Sequence, residues 1–427
     1  MKKWGVSLAL LAIIQPVDAK DVVAEDSRGI TIAVMQANAA ALTRIGQSKG
    51  PARLAARAGY YRVRGNIEES NTWADKCTQD AAVRAEESQG VMYLCRSLRA
   101  GNRLLRGDIA GWAKDMIEVR KLYVEKVAPS LGPGEEVGAV TRPQFENFLA
   151  TPASGRRQGP RVPGTRIPVK DHVGVPVVRG KIRDGHDGKR RNIDSDFILD
   201  TGSSWSHLSR KAALAMGATV TEGFGVDLTD ERRPVSIGLV TPVDVELGGM
   251  TFSNLSFTVA DGIDYNIIGM DLLEQLGPMV LKTGYLELLP EIAPSTCKYP
   301  VALTSALWGG QSSVRLPMKI GKRNELVLLD TGVDLSLEMS GVDLTTYPKE
   351  GIVEKKRFTM HGLVPVRYAE ATAPVEFNGI TTTLKTQVSD QPGMVFPISW
   401  RAGYALRDKY DYYLDVAAGR GCLAPRS

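Results

Sequence analysis

The pattern of apolar and polar positions changes character twice along the chain. From about residue 29 to 127, apolar residues recur at helical spacing among alanine, leucine and arginine. The one proline there, Pro51, stands where a helix can begin. Residues 128–164 lose that period. Their runs Pro-Ser-Leu-Gly-Pro-Gly-Glu-Glu and Gly-Arg-Arg-Gln-Gly-Pro-Arg-Val-Pro-Gly read as a linker that buries no core, with Arg156, Arg157 and Arg161 solvated. From Thr165 onward, short β-rich runs alternate with Gly, Asn and Asp turns, the signature of an all-β region. The expected fold is multidomain: N-terminal all-α helical hairpins, then an all-β region.

Both parts repeat themselves. Tyr61-Arg62-Val63-Arg64-Gly65-Asn66-Ile67-Glu68-Glu69-Ser70 is echoed by Leu105-Arg106-Gly107-Asp108-Ile109-Ala110. The turn resembles that of a tetratricopeptide hairpin, although the copies lie about 40 residues apart and not 34. In the β region, Phe197-Ile198-Leu199-Asp200-Thr201-Gly202 returns as Val327-Leu328-Leu329-Asp330-Thr331-Gly332, and Gly238-Leu239-Val240 returns as Gly362-Leu363-Val364. Each half then reaches a short helix, expected at 270–276 and 404–410. Two copies of one lobe, 165–292 and 293–427, follow a helical domain at 20–127 and the linker at 128–164.

The first residues read as an export signal at 1–19. Lys2 and Lys3 precede the short apolar run 4–14, and Pro16-Val17-Asp18-Ala19 offers small residues for cleavage. That run is too short to span a bilayer, which takes roughly 20 residues, and no later stretch is apolar enough. An exported protein, periplasmic or secreted, is expected. The four cysteines allow three pairings, of which the neighbourly one joins Cys77 to Cys95 and Cys297 to Cys422. No C-x-x-C occurs and histidines number 4, so no metal or cofactor is expected. A formal charge of +5 over 427 residues argues against a nucleic-acid partner.

The repeated Asp-Thr-Gly carries the chemistry. Two carboxylates about 3 Å apart cannot both ionise, so one keeps a proton to polarise a carbonyl while the other takes a proton from water. Three apolar residues before Asp200 and before Asp330 suit buried strands that deliver both to one cleft. Thr201 and Thr331 offer hydroxyls to lock the two loops together, and Gly202 and Gly332 permit close backbone approach. Ser203 is expected to donate to Asp200, and Val333 cannot do so for Asp330. That difference predicts Asp200 as the more acidic partner and a mildly acidic pH optimum.

With these residues, 165–425 resembles a retropepsin-type aspartic protease in a fused two-lobe form. Asp200-Thr201-Gly202-Ser203-Ser204 is similar to the pepsin motif, and Asp330-Thr331-Gly332-Val333-Asp334 to the retroviral one. Tyr265-Asn266-Ile267-Ile268-Gly269-Met270-Asp271-Leu272-Leu273 resembles the family's second signature, with Ile268 and Gly269 behind the catalytic loop. The resemblance implies catalytic Asp200 and Asp330, support from Thr201, Gly202, Ser203, Thr331 and Gly332, and substrate-binding flaps around Gly238, Leu239, Gly362 and Leu363. In the second lobe Ile398-Ser399-Trp400-Arg401-Ala402-Gly403 keeps the glycine and loses the apolar pair.

Other constellations carry less. Ser203, Ser204 and His207 lie on one short turn, too close together for a hydrolase triad. Arg183, His186, Asp187, Lys189, Arg190 and Arg191 read as a solvated turn, and Trp73, Tyr93 and Trp112 as helical core. The expected function is endopeptidase action on an extended polypeptide by a monomer, with a possible protein partner on the helical domain. The competing expectation is an inactive, protease-like peptide-binding or scaffold protein. An ion pair from Arg401 to either carboxylate would favour the latter.

Overall fold

The computed structural model describes residues 22–131, 137–155, 157–184, 192–227, 235–359, 362–390 and 399–426. The export signal at 1–19, Arg156 and the charged turn at 185–191 lie outside them.

The N-terminal part is helical. Helices Ala52–Val63 and Ile67–Gln79 form one hairpin, and Gln89–Leu105 and Ile109–Leu122 another. The two turns are alike for the reason their sequences are. Gly65 and Gly107 take φ of +76° and +77°, a region that costs a side chain dearly. The next residue caps the following helix: Asn66 accepts from Glu69 N–H, and Asp108 from Gly111 N–H. Fully buried Ala55, Ala56 and Ala58 let neighbouring helices approach closely, and Cys77 is bonded to Cys95.

The linker expectation needs correcting. Val140, Phe145 and Phe148 are fully buried against the helical core. Arg161 Nε donates to Leu276 O at 2.7 Å and its Nη2 to the carbonyls of Pro278 and Leu289. Arg157 donates to Gln275 O, and its strand pairs with Met250–Ala260. Each arginine caps carbonyls left free where strands and helices end, which a polar-rich sequence does not reveal.

The β region builds two sheets. One holds Arg166–His172, Val175–Asp184, Ile193–Leu199, Val235–Leu247 and Met250–Ala260 from the first lobe. It continues through Tyr285–Leu288 and Met279–Lys282 into Tyr410–Asp415 and Arg420–Pro425, so the second lobe completes it. The other sheet runs from Ala302–Ser305 to Ile352–Thr359 and belongs to the second lobe. One apolar core spans both lobes, from Ile167 and Phe197 to Val327 and Leu414. The predicted helix at 270–276 is present as Met270–Leu276, whereas 404–410 forms only a 3-10 turn, Tyr404–Asp408, before a strand. Cys297 is bonded to Cys422.

Candidate active site

Each aspartate sits at the end of a buried strand held from behind. Strand Ile193–Leu199 runs parallel to Asn266–Ile268, and Asp200 N–H donates to Ile268 O at 3.0 Å. Strand Arg323–Asp330 runs parallel to Trp400–Gly403, with Asp330 opposite Gly403. Phe197, Ile198, Leu199, Val327, Leu328 and Leu329 are all buried, so both strands are anchored up to the carboxylates.

The two loops are tied by a reciprocal lock. Thr201 Oγ1 donates to Leu329 O at 2.8 Å and accepts from Thr331 N–H at 3.1 Å. Thr331 Oγ1 donates to Leu199 O at 2.7 Å and accepts from Thr201 N–H at 3.1 Å. Each hydroxyl thus satisfies a buried donor and a buried acceptor on the opposite lobe. The lock brings the two carboxyls together: the place of a Gly202 Cβ lies 2.6 Å from the Asp330 carboxyl carbon, and that of a Gly332 Cβ 2.5 Å from the Asp200 one. Asp200 Oδ1 accepts from Gly202 N–H at 2.8 Å and Ser203 N–H at 3.2 Å, and Asp330 Oδ1 from Gly332 N–H at 3.1 Å.

The two carboxylates stand in different surroundings. Burial, and then the charge of Asp330, hold the Asp200 carboxyl well above the usual carboxylate range, against the pull of the Gly202 and Ser203 N–H groups. The Ser203 hydroxyl does not reach Asp200: it donates to Trp205 O at 2.8 Å. On the other side a cation stands against Asp330. Arg401 Nη1 donates to Asp330 Oδ2 at 3.2 Å, while its Nε donates to Glu338 Oε2 at 3.0 Å. Glu338 was not among the residues the sequence pointed to. Its signal was a lone acid inside the apolar strand Leu337–Met339, which requires a buried partner.

Behind the loops the lobes keep one geometry despite different residues. A Cβ on Gly269 would lie 2.6 Å from Trp205 O and 2.9 Å from Ser203 O. A Cβ on Gly403 would lie 2.6 Å from Leu335 O and 2.7 Å from Val333 O, the same steps beyond Asp330. Met270 N–H donates to Ser203 O and Tyr404 N–H to Val333 O, both at 2.9 Å. Ile268 is matched by Ala402, and both are fully buried.

Gly238 and Leu239 lie in the stem of a hairpin, Val220–Asp227 with Val235–Leu247, whose tip at 228–234 is outside the described residues. Leu239 is buried in the helical core cluster. Gly362 and Leu363 begin the return strand of the second lobe's hairpin, opposite Thr359 and Phe358.

The helical part abuts this site. Phe224, on the first hairpin, touches Trp112 (5.3 Å between ring centres), Phe148 (5.5 Å) and Trp205 (5.6 Å). Gln144 N–H donates to Gly223 O at 2.8 Å. Buried Arg62 donates to Leu98 O, Ser305 Oγ and Ala306 O, and Trp112 Nε1 to Trp308 O. Tyr93 and Trp112 are core, and Trp73 is half-buried.

Ser203, Ser204 and His207 form no triad. Ser204 Oγ donates to Ser312 O at 2.8 Å, and His207 Nδ1 pairs with Thr258 Oγ1 at 3.2 Å. Burial lowers the His207 imidazole to about 4. No helix among the described residues is long and apolar enough to cross a membrane.

Residues 189–275 match the family model for the gag-polyprotein putative aspartyl protease. Among solved structures, the chain is similar to the aspartic proteinase from Irpex lacteus, with 14% identity and a TM-score of 0.37, over 61% of this chain and 97% of that one. It is also similar to Basic 7S globulin from soybean, with 10% identity and a TM-score of 0.35, over 62% and 97%. No curated protein matches the chain.

Proposed function

We propose, from a lobe that belongs with the retropepsin-like aspartic proteases, that this chain is an aspartic endopeptidase of an exported compartment. The carrying observation is the reciprocal fit of the two triplets. The place of a Gly202 Cβ is 2.6 Å from the Asp330 carboxyl carbon, and that of a Gly332 Cβ is 2.5 Å from the Asp200 one. Two carboxyls held this close titrate as a pair and share one proton. Such a pair can polarise a carbonyl and deprotonate the attacking water without a cofactor. An extended polypeptide would lie as a strand beneath the two hairpins, its alternate side chains in pockets. One chain supplies both carboxylates, which supports action as a monomer. The two disulfides fit an oxidising compartment. The helical hairpins, packed on the first hairpin, would present the substrate or a protein partner to the cleft.

The test is cleavage of an unfolded polypeptide by purified protein from pH 3 to 9, with Asp200→Asn and Asp330→Asn as controls. Each substitution is expected to remove turnover, and a statine-type transition-state analogue to inhibit the native protein. Cleavage that survives both substitutions would overturn the reading. A second reading, peptide binding without turnover, is favoured by one observation, the Arg401–Asp330 ion pair. It predicts saturable peptide binding and no cleavage at any pH.

A further inference from the structure

Two identical triplets do not by themselves decide which aspartate carries the proton and which the charge. The groups behind them do. Strand register places Ile267 opposite Ile198 in the first lobe and Arg401 opposite Leu328 in the second. Beside these, His207 bridges to Ile267, and strand Leu337–Met339 places Glu338 beside Arg401. An apolar and neutral pair in one lobe is therefore an ionic pair in the other. Glu338 is fully buried, while the Arg401 and Asp330 side chains are 18% and 8% exposed.

We propose that Arg401, anchored by Glu338, is a positioning residue that fixes the negative charge on Asp330 and the shared proton on Asp200, making Asp330 the general base and Asp200 the general acid. This deepens the endopeptidase reading and rests on it. A guanidinium stays protonated at any working pH and offers directed donors, so it favours the ionised form of whichever carboxylate it touches. It touches only Asp330 of the two. Glu338 cancels the arginine's charge, so with one shared proton the site keeps the net single negative charge of an isolated pair.

Among the described residues, the other elements around Arg401 bring no competing ion. On the far side of Glu338, strand Ile380–Ser389 places Gln387 opposite it, and Lys385 on that strand is exposed. Across Leu328, Arg315 turns its guanidinium to Leu326 O and Thr304 Oγ1. The first lobe's loop contributes Asp200 alone, and its raised titration has the same direction as the proposed proton.

In turnover, water gives its proton to Asp330 as its oxygen bonds to the peptide carbon, and Asp200 gives its proton to the carbonyl oxygen. On collapse the C–N bond breaks. Asp330 returns its proton to the leaving amine, and one hydroxyl of the tetrahedral carbon returns a proton to Asp200. The site ends as it began, with no outside reagent. Burial and the charge of Asp330 hold the proton on Asp200 to higher pH. The proton on Asp200 is therefore retained towards neutral pH.

The experiment compares pH profiles of kcat/KM for the native protein, Arg401→Lys, and the charge-balanced double substitution Arg401→Met with Glu338→Gln. The acid limb is expected to rise by about one pH unit in the double variant and to stay near native in Arg401→Lys. An unmoved limb in a folded double variant would overturn the proposal. Carboxyl 13C titration of the native protein, with the signals absent in Asp200→Asn and Asp330→Asn as assignment, reads the same charges without turnover. The carboxyl that titrates high must be Asp200; finding it on Asp330 overturns the proposal even if the double variant fails to fold. Absence of native turnover would overturn the endopeptidase reading, and the carbon titration would still decide where the proton sits.

Discussion

Gly332 lies against Asp200 so closely that a methyl group on it would stand 2.5 Å from the Asp200 carboxyl carbon, and Gly202 stands in the same relation to Asp330. Glycine is needed here for the space of the opposite lobe's carboxylate, since neither residue takes a positive φ. Gly202→Ala or Gly332→Ala must therefore push the two carboxyls apart. We expect kcat/KM to fall by at least about 100-fold in either variant, because displacements of about 1 Å at reacting groups cost that much. Steady-state kinetics on a fluorogenic peptide checks this.

Thr201→Val and Thr331→Val each strip a buried N–H and a buried carbonyl of their partner. Each substitution is expected to lower unfolding stability by about 2 kcal/mol, read by denaturant titration. A stability loss without any loss of kcat would show that the lock holds the lobes and does not align the carboxyls.

His207 makes acid stability a measurable quantity. Its imidazole is buried, with a folded value near 4 against an ordinary 6.5. A base lowered on folding binds more protons unfolded, so its contribution is complete above pH 6.5 and is lost as pH falls towards 4. Native protein should lose about 3 kcal/mol more stability over that window than His207→Gln.

Asp200→Asn should separate activity from stability. The Asp200 carboxyl is raised on folding, so its ionisation erodes stability as pH climbs from the ordinary carboxylate range towards its folded value. The asparagine keeps an oxygen for the Gly202 and Ser203 N–H groups and carries no charge. Its melting temperature at pH 8 should exceed the native one although cleavage is abolished; calorimetry measures the difference.

Gly101→Ala tests the seat of the helices. A Cβ there would meet Leu307 O at 2.3 Å and Gly309 N at 2.6 Å, both backbone atoms with little freedom to yield. We expect a loss of about 2 kcal/mol and faster amide exchange in residues 305–311.

What the sequence disclosed was mostly local or repeated. The two Asp-Thr-Gly triplets, the paired Gly65 and Gly107 turns and the two-lobe repeat each leave a pattern within a few residues. The glycine of the second signature was legible at Gly403 because its space requirement survived the loss of its apolar neighbours. The contacts of Arg161, of Phe145 and Phe148, and of Phe224 were not legible, since their partners lie far along the chain and polar or aromatic residues in a Pro- and Gly-rich stretch suggest solvent. The Ser203 hydroxyl was misread because two acceptors were within its reach, and proximity in sequence does not say which it takes. Arg401 stood out as a charge where an apolar residue was expected, but only strand register brings Glu338 to it.

The sheet that joins strands 166–172 and 279–288 to strands 410–425 has a kinetic meaning. The first lobe's floor contains segments from both ends of a 260-residue stretch, so it cannot close while residue 425 is still being made. Long-range closure of this kind is slow, and the segments that wait for it expose apolar edges. The floor beneath Asp200 is therefore complete only after strands Tyr410–Asp415 and Arg420–Pro425 have formed, which makes the carboxyl pair a late product of folding.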